Sequence, residues 1–252
     1  MLYRSDTHAP LSVVSPRYKV VQPYEVLEFY RDLVEAGGFE LETAGVLKGG
    51  KKFWALARTG QSIRLKGDDD VQGYLLLATA CDGTLATTAQ FTSVRVVCNN
   101  TLQLAVGNDT GAVKVSHKRQ FDADEVKQRL NIGVTAWDAF TDRIETLADR
   151  KVNRFETMNY LVNVFGDPEK GIKEQPNGRA IKAVQTLFEG QGAGMELKAA
   201  NDTAWGLVNA VTEYVDHSKP ARSIDNRLNS AWFGAGAAVK KRAWDQAMEM
   251  VA

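Results

Sequence analysis

Two stretches decide the fold of this chain: KGGKKFWALARTGQSIRLK (Lys48–Lys66) and TLATTAQFTSVRVVCNNTLQLAVG (Thr84–Gly107). Both contain runs of apolar, aromatic and β-branched residues, which are typical of β-strands. The pair Gly49-Gly50 lies near the start of the first stretch, and Asp82-Gly83 directly precedes the second. Because glycine accepts the positive φ of a tight turn, both pairs indicate hairpins. The sequence therefore predicts antiparallel strand pairing around these two stretches.

The first half of the chain carries strand signals and the second half carries helix signals. Strand-like runs extend from Leu11 to about His117, with a short strand at Ala112–Ser116, and one helix, PYEVLEFYRDLVEAGG (Pro23–Gly38), interrupts them. Proline near a start and glycine at an end are typical helix boundaries. We predict an α+β fold: an antiparallel β-sheet of about four to five strands with helices on one face, followed by a helical C-terminal half. An uncovered second face would be open to a ligand or partner.

Helical spacing dominates after Asp122. The predicted helical segments are Val126–Val152, Arg154–Gly166, Arg179–Glu189, Thr203–Asp216 and Ala235–Met250. The one clear linker is Phe165–Asn177, which is rich in glycine, proline and charge. We therefore predict two domains: residues 1–165 form a β-sheet core with covering helices, and residues 178–252 form a helical subdomain.

The composition favours a soluble, cytoplasmic protein. The 252 residues are 44% hydrophobic and carry 31 Lys or Arg against 31 Asp or Glu. Neutrality is weak evidence against a nucleic-acid protein, because local patches decide binding. Cys81 and Cys98 form neither a disulfide framework nor a pair of metal ligands, which fits a reducing compartment. We expect no membrane partner, since no apolar run is long enough to span a bilayer and the start MLYRSD is no signal peptide.

Cations and aromatic residues concentrate on the first predicted hairpin. Lys48–Lys66 holds six Lys or Arg and no acid. Cations follow phosphates and aromatic faces stack on bases, so this pattern favours single-stranded nucleic acid. A second basic cluster, Lys114, His117, Lys118 and Arg119, lies at the end of the strand at Ala112–Ser116. The predicted nucleic-acid contacts are Lys51, Lys52, Phe53, Trp54, Arg58, Arg64, Arg95, Lys118 and Arg119. A second interpretation also fits: lysines on an edge strand protect a sheet from aggregation, and the aromatic residues turn into the core.

The remaining motifs do not indicate a specific catalytic or binding site. FGAGAAVKKR (Phe233–Arg242) either holds a phosphate at a helix start or needs small residues for close packing. The acidic run Asp68–Asp70 either binds a metal or forms an exposed loop. The three histidines are widely separated, and no catalytic motif occurs. We expect no catalytic residues, no metal and no cofactor, and hence no enzyme.

The chain closely resembles a family of phage and plasmid proteins known as domain of unknown function 932. The segments that carry the resemblance are RSDT (Arg4–Thr7), LSVVSPRYKVVQ (Leu11–Gln22), GGKKFWALA (Gly49–Ala57), DGTLATTAQFTSVRVVCNNTLQLA (Asp82–Ala105) and NRLNSAWFGAGAAVKKRA (Asn226–Ala243). The resemblance implies a phage or plasmid source and a bacterial host but names no activity. The order of elements is also similar to the single-strand annealing fold of phage recombinases such as Redβ. That likeness is architectural and implies an oligomer that lays DNA along a basic groove.

Two functions from different classes follow. The first is a non-enzymatic single-stranded DNA binding and annealing protein that acts in recombination or replication. The alternative is a protein-interaction or anti-defence module that binds a host protein. A third, weaker possibility is a nucleotide-dependent enzyme that uses Gly234–Lys241. The apolar stripe in Val126–Leu147 either supports a homo-oligomer or packs inside the chain against Trp205, Leu207 and Val211.

Overall fold

The main architectural element is a six-stranded sheet. A computed structural model describes residues 1–98, 100–103, 112–130, 133–166 and 177–252. Its strands are β1 (Leu2–Tyr3), β2 (Pro10–Ser12), β3 (Glu40–Leu47), β4 (Lys52–Leu65), β5 (Asp69–Ala80), β6 (Thr87–Arg95), β7 (Asn100–Gln103) and β8 (Ala112–Val115). The order in the large sheet is β3-β4-β5-β6-β7, and β8 pairs antiparallel with β6. Strands β1 and β2 form a separate antiparallel hairpin.

Helices occupy the second half of the chain. They are α1 (Pro23–Gly37), α2 (Ala123–Leu130), α3 (Gly133–Asp149), α4 (Arg154–Phe165), α5 (Gly178–Thr186), α6 (Ala204–Glu213), α7 (Ile224–Phe233) and α8 (Ala235–Glu249). Single π-helical turns follow α5 and α6, at Leu187–Gln191 and Tyr214–Ser218. The predicted α+β class, with an antiparallel sheet and a helical C-terminal half, is confirmed.

The predicted turns and the first helix form for the expected reasons. Gly49 and Gly83 adopt φ values of 67° and 76° at the two predicted hairpin turns. Helix α1 begins at Pro23 and is capped at its end by Gly38 in the left-handed conformation. The hydroxyl of Tyr30 lies 2.8 Å from the Ala55 carbonyl and 2.9 Å from that of Leu75, which anchors α1 on the sheet.

The sequence prediction differs from the structure at two places. The stretch after Ser12 is not a strand, although strand-like residues continue to Val21. Helix α7 was not predicted. The long helix predicted at Val126–Val152 is represented by α2 and α3, and residues 131 and 132 between them lie outside the described residues. Residues 104–111 and 167–176, which include the end of the second strand-rich stretch and most of the predicted linker, lie outside the described residues.

The two central strands are buried on both faces. Every residue of β6 is buried, as is every residue from Gly73 to Ala80 in β5. Since alternate residues of a strand face opposite sides, both sides of the sheet are covered here. The open second face that we expected for a ligand is therefore not found at these strands.

The chain divides into two compact units. The first unit comprises Met1–Ser62, Gln72–Ser93 and Gln103–Asp138, and the second comprises Ile63–Val71, Val94–Leu102 and Ala139–Ala252. Each unit is built from separate stretches of sequence. The contiguous domains at 1–165 and 178–252 stay a prediction. In the second unit, α6 is buried from Ala204 to Thr212 and forms part of its core.

Candidate nucleic-acid interface

Two of the predicted phosphate contacts are neutralised by carboxylates. In the first unit, the Arg58 guanidinium lies 2.7 Å from Glu42 and 3.6 Å from Glu40 on the adjacent strand. In the second unit, Arg64 donates to both oxygens of Asp70, at 2.6 and 3.0 Å. Both arginines stay charged, but a neighbouring carboxylate balances each positive charge. Neither adds net positive potential to its surroundings.

Arg95 lies in the core of the second unit. Its side chain is 1% exposed, and its Nε lies 2.8 Å from Asp69. The terminal nitrogens donate to the carbonyls of Ala193 and Gly194, at 3.1 and 2.8 Å. The Trp205 indole also donates to Asp69, at 3.1 Å. The prediction that Arg95 contacts phosphates is not compatible with this burial, because the guanidinium is fully used inside the protein.

The aromatic and basic residues at the start of β4 have different environments. Lys52 is only 7% exposed, so its side chain is largely withdrawn from solvent. The Trp54 indole lies over Gly45, where an added Cβ would come within 2.9 Å of the ring. Phe53 is half-buried and faces a pocket. Of these three predicted contacts, Phe53 is the one that borders an open site.

Lys118 and Arg119 lie at the same end of the first unit as Lys51. The Cys81 amide donates to the Lys51 carbonyl at 2.8 Å, which places the end of β5 beside the start of β4. The Tyr18 hydroxyl donates to the Ala80 carbonyl at 2.7 Å. Tyr18 stacks in turn on His117, directly before Lys118 and Arg119. The antiparallel topology therefore unites two basic segments that are more than sixty residues apart in sequence.

Five cations define this surface, which we call the basic end. They are Arg17, Lys19, Lys51, Lys118 and Arg119. Within the described part of the chain, none of the five forms an ion pair, and all but the half-buried Lys51 are exposed. Asp82 also lies at this end, and its carboxylate accepts from the amide and hydroxyl of Thr84. Unpaired cations on one surface are the electrostatic requirement for binding a polyanion.

His117 fixes the geometry of the basic end. Its ring nitrogens lie 2.9 Å from the Lys19 carbonyl and 3.0 Å from the Leu85 carbonyl. The Lys19 amide also donates to the His117 carbonyl, at 2.7 Å. His117 belonged to the predicted second basic cluster, whereas Arg17, Tyr18 and Lys19 were not predicted as site residues. The signal that was present is the triplet Arg17-Tyr18-Lys19, in which an aromatic residue stands between two cations.

A pocket of about 420 Å³ lies beside Lys51 in the first unit. Its walls are the β1–β2 hairpin, the start of α1 and the ends of β3, β4 and β5. Side chains that contribute to the lining include Tyr3, Arg4, Asp6, Val46, Lys51, Phe53 and Cys81. The Ser12 hydroxyl donates to the Cys81 carbonyl at 2.5 Å and holds the hairpin against the sheet. The pocket thus combines aromatic rings with fixed charges.

The charges in the pocket are set by neighbouring groups. Arg4 donates to both oxygens of Asp6, at 2.8 and 2.5 Å. This hydrogen bonding holds the pKa of Asp6 well below its usual range, so the carboxylate is ionised at neutral pH. Burial raises the pKa of the Cys81 thiol, which therefore stays protonated at neutral pH.

The glycine-rich start of α8 is used for packing in the second unit. A Cβ at Gly236 would come within 2.8 Å of both the Ser230 carbonyl and a methyl group of Val215. Lys240 is buried and donates to Asp216 and to the Thr101 carbonyl, each at 2.8 Å. Burial lowers the pKa of Lys240, and Asp216 opposes that shift. This ammonium is engaged inside the protein, which favours close packing over a phosphate site.

Two acids of the run Asp68–Asp70 form ion pairs, since Asp69 binds Arg95 and Asp70 binds Arg64, and Asp68 is exposed. Among the described residues, no group of three or more His, Cys, Asp or Glu is arranged to hold a metal ion. None of the helices described is both long and apolar enough to cross a bilayer.

These features define an α+β protein with a basic end, whose cations form no ion pair among the described residues, and an adjacent charged, aromatic pocket. A family model described as "Domain of unknown function (DUF932)" matches residues 10–232. The match covers most of the chain, so the chain belongs to this family and the predicted family is confirmed. No curated protein and no solved structure matches the chain. The phage or plasmid source and the likeness to the annealing fold stay predictions.

Proposed function

We propose that this chain is a non-enzymatic protein that binds single-stranded DNA at the basic end. The single observation that supports the proposal most strongly is that the segments carrying Arg17, Lys19, Lys51, Lys118 and Arg119 meet at one end of the first unit, and these cations have no carboxylate partners among the described residues. A strand that follows these cations releases counterions, and this release is a main source of affinity. The architectural likeness to the single-strand annealing fold adds annealing, in recombination or replication, to the proposal.

The proposed contacts differ from those predicted by the sequence. Lys51, Lys118 and Arg119 contact phosphates, Phe53 offers a ring to a base, and Arg17 and Lys19 join the set. Lys52, Trp54, Arg58, Arg64 and Arg95 leave it, because each is buried, packed or paired with an acid.

Fluorescence anisotropy with a labelled oligonucleotide at two salt concentrations tests the proposal. Each neutralised phosphate adds about 0.7 to the slope of log affinity against log salt for a single strand. We expect binding at low salt that weakens steeply as salt is added. Failure to bind at low salt would refute the proposal, and equal affinity for duplex and single strand would refute its preference for single strands.

A specific observation favours the alternative function, a module that binds a host protein. In the second unit, Phe155, Met158 and Val162 lie on one face of α4 and are 75%, 38% and 39% exposed. An exposed apolar stripe is typical of a protein-interaction surface. Capture of one stoichiometric host protein after nuclease treatment, and its loss in Phe155→Glu, would support this alternative. Retention of the same partner by Phe155→Glu would contradict it.

Self-association forms part of the annealing proposal. The apolar stripe in Val126–Leu147 supports it less than expected, because part of the stripe is buried within the chain. Phe140, Ile144 and Leu147 from the predicted stripe are buried within the chain. Phe140 stacks on Trp244, with ring centroids 5.6 Å apart. The side chains of Leu130 and Val134, also in that stripe, lie outside the described residues. Light scattering gives the test: a monomer of 27.7 kDa, with and without oligonucleotide, would contradict an oligomer.

A further inference from the structure

The pocket beside Lys51 has the size and the lining of a small-molecule site. Its volume of about 420 Å³ falls within the range of pockets that enclose small ligands, roughly 300–1,000 Å³. Three separate parts of the first unit form its walls: the N-terminal hairpin, the start of α1 and the ends of three strands. Because Lys51 belongs both to the lining and to the basic end, the pocket adjoins the basic end.

The two aromatic residues of the pocket differ in their exposure. Phe53 is half-buried on β4, opposite Val46 of β3 in the strand register, and gives the pocket an apolar wall. Tyr3 is 55% exposed on the N-terminal hairpin. Aromatic faces bind nucleobases by stacking, and this interaction accepts any base. Rings from both the sheet and the hairpin therefore fit a flat, unstacked base.

The polar groups of the pocket exclude simpler ligands. Asp6 and Arg4 form a hydrogen-bonded pair in the lining, and the Arg4 guanidinium reaches the turn at Gly50, where an added Cβ would lie 3.2 Å from its Nη1. A purely apolar ligand would remove this ion pair from water and offer it no hydrogen bonds in return. An inorganic anion would leave the aromatic surface unused and would meet the Asp6 carboxylate. A nucleotide matches all of these groups: a base for the rings, base N–H groups for Asp6 and a phosphate for Lys51.

We propose that this pocket receives one unstacked nucleotide of the bound strand, with its base beside Tyr3 and Phe53 and its phosphate at Lys51. This inference rests on the proposed function and adds a specific subsite to it. It also gives a physical reason for single-strand preference, since a base inside a duplex is stacked and paired and is extracted only at a cost of a few kcal/mol.

Cys81 lines the pocket and provides a reporter for its occupancy. Cys98, which belongs to the second unit, provides an internal control in the same molecule. Both cysteines are free and partly exposed. The experiment measures the rate of N-ethylmaleimide labelling at each cysteine by mass spectrometry, with the full chain at pH 8. The arms are buffer alone, thymidine 5′-monophosphate, thymidine, inorganic phosphate and a short single-stranded oligonucleotide.

We expect the nucleotide to slow labelling of Cys81 by about tenfold at about nine times its Kd, with Cys98 unchanged. Thymidine and phosphate alone should protect less at equal concentration. Tyr3→Ala should lose most of this protection, whereas Tyr24→Ala, which removes another exposed tyrosine outside the pocket, should keep it. The oligonucleotide should protect Cys81 as the nucleotide does.

The outcomes separate this inference from the proposed function. Salt-sensitive oligonucleotide binding with unchanged labelling of Cys81 would overturn the subsite and leave DNA binding intact. Protection by phosphate equal to that by the nucleotide would also overturn it, since the rings would then contribute nothing. If the oligonucleotide does not bind, the proposed function fails, and the pocket is not a subsite for a strand.

Discussion

Tyr18 stacks on His117, with ring centroids 4.4 Å apart and 18° between the ring planes. This contact joins the segment that carries Arg17 and Lys19 to the turn that carries Lys118 and Arg119. The Tyr18 hydroxyl also donates to the Ala80 carbonyl and accepts from the Gly83 amide. One half-buried side chain therefore holds three parts of the basic end together.

Substitutions at Tyr18 should separate its ring from its hydroxyl. We expect Tyr18→Phe to lower the free energy of unfolding by about 1 kcal/mol, because it loses hydrogen bonds and keeps the stack. Tyr18→Ala loses both and should cost about 2 kcal/mol or more. Oligonucleotide affinity should fall clearly only in Tyr18→Ala, since the cations then lose their relative positions. Urea unfolding and anisotropy on both variants measure this, and equal affinities would show that the stack does not organise the site.

The ion pair between Arg95 and Asp69 should contribute strongly to stability and should not contribute to DNA binding. Arg95→Met leaves a buried carboxylate with the Trp205 indole as its remaining side-chain donor among those described. Removal of one partner from a buried pair costs about 3–5 kcal/mol. Arg64→Met is the matched control, because it breaks an exposed arginine–aspartate pair and should leave the unfolding midpoint unchanged within error. A similar small effect in both variants would contradict the assigned burial of Arg95.

The start of α8 should respond to added volume rather than to nucleotide. Gly236→Ala places a methyl group against the Ser230 carbonyl and Val215, so we expect a loss of about 1–3 kcal/mol. Lys241→Ala, on the exposed side of the same helix, should have little effect. Thermal melts of these two variants, with and without ATP, test both points. A shift in the melting temperature with ATP that Lys241→Ala abolishes would instead favour a nucleotide site.

The protein should lose stability at alkaline pH because of its buried tyrosines. Burial raises the pKa of Tyr30 and of Tyr160 well above the usual value of about 10. The folded state then holds protons that the unfolded state releases, so stability is fully present below about pH 10 and falls as pH rises further. Lys240 has a lowered pKa and acts in the opposite direction, but its contribution stops changing above 10.5.

Above pH 10, each of the two phenols lowers the free energy of unfolding by about 1.36 kcal/mol per pH unit. Tyr30→Phe should therefore make the fall of unfolding free energy with pH shallower by about 1.36 kcal/mol per pH unit above pH 10, as measured by urea unfolding between pH 9 and 11.5. An unchanged slope would mean that Tyr30 ionises in the folded state.

The sequence predicted the parts of this fold that depend on local chemistry. Gly49, Gly83 and Gly38 lie where the positive φ of a turn or a helix end is required, and these positions were correct. The burial and the partners of the cationic side chains could not be predicted in the same way. Arg95 pairs with Asp69 and Lys240 with Asp216, and nothing in the local pattern indicates which acid lies opposite each cation.

The basic end was predicted only in part for a related reason. Lys118 and Arg119 lie at the same end of the first unit as Lys51 because of the strand register and the contacts of Tyr18. Both are tertiary features. The RYK triplet at residues 17–19 was overlooked because it lies inside a run that resembles a strand but forms none. Side-chain burial of a charged residue, as at Lys52, follows from what packs above the sheet and is not encoded in alternation alone.

A charge-reversal comparison tests the central proposal most directly. Lys118→Glu/Arg119→Glu removes two unpaired cations from the basic end, and Arg179→Glu/Lys182→Glu makes the same change of charge on exposed residues of α5. We predict that the first variant lowers single-stranded oligonucleotide affinity at least about tenfold and reduces the salt slope by about 1.4, while the second changes neither by a comparable amount. Equal affinities for the two variants would contradict binding at the basic end.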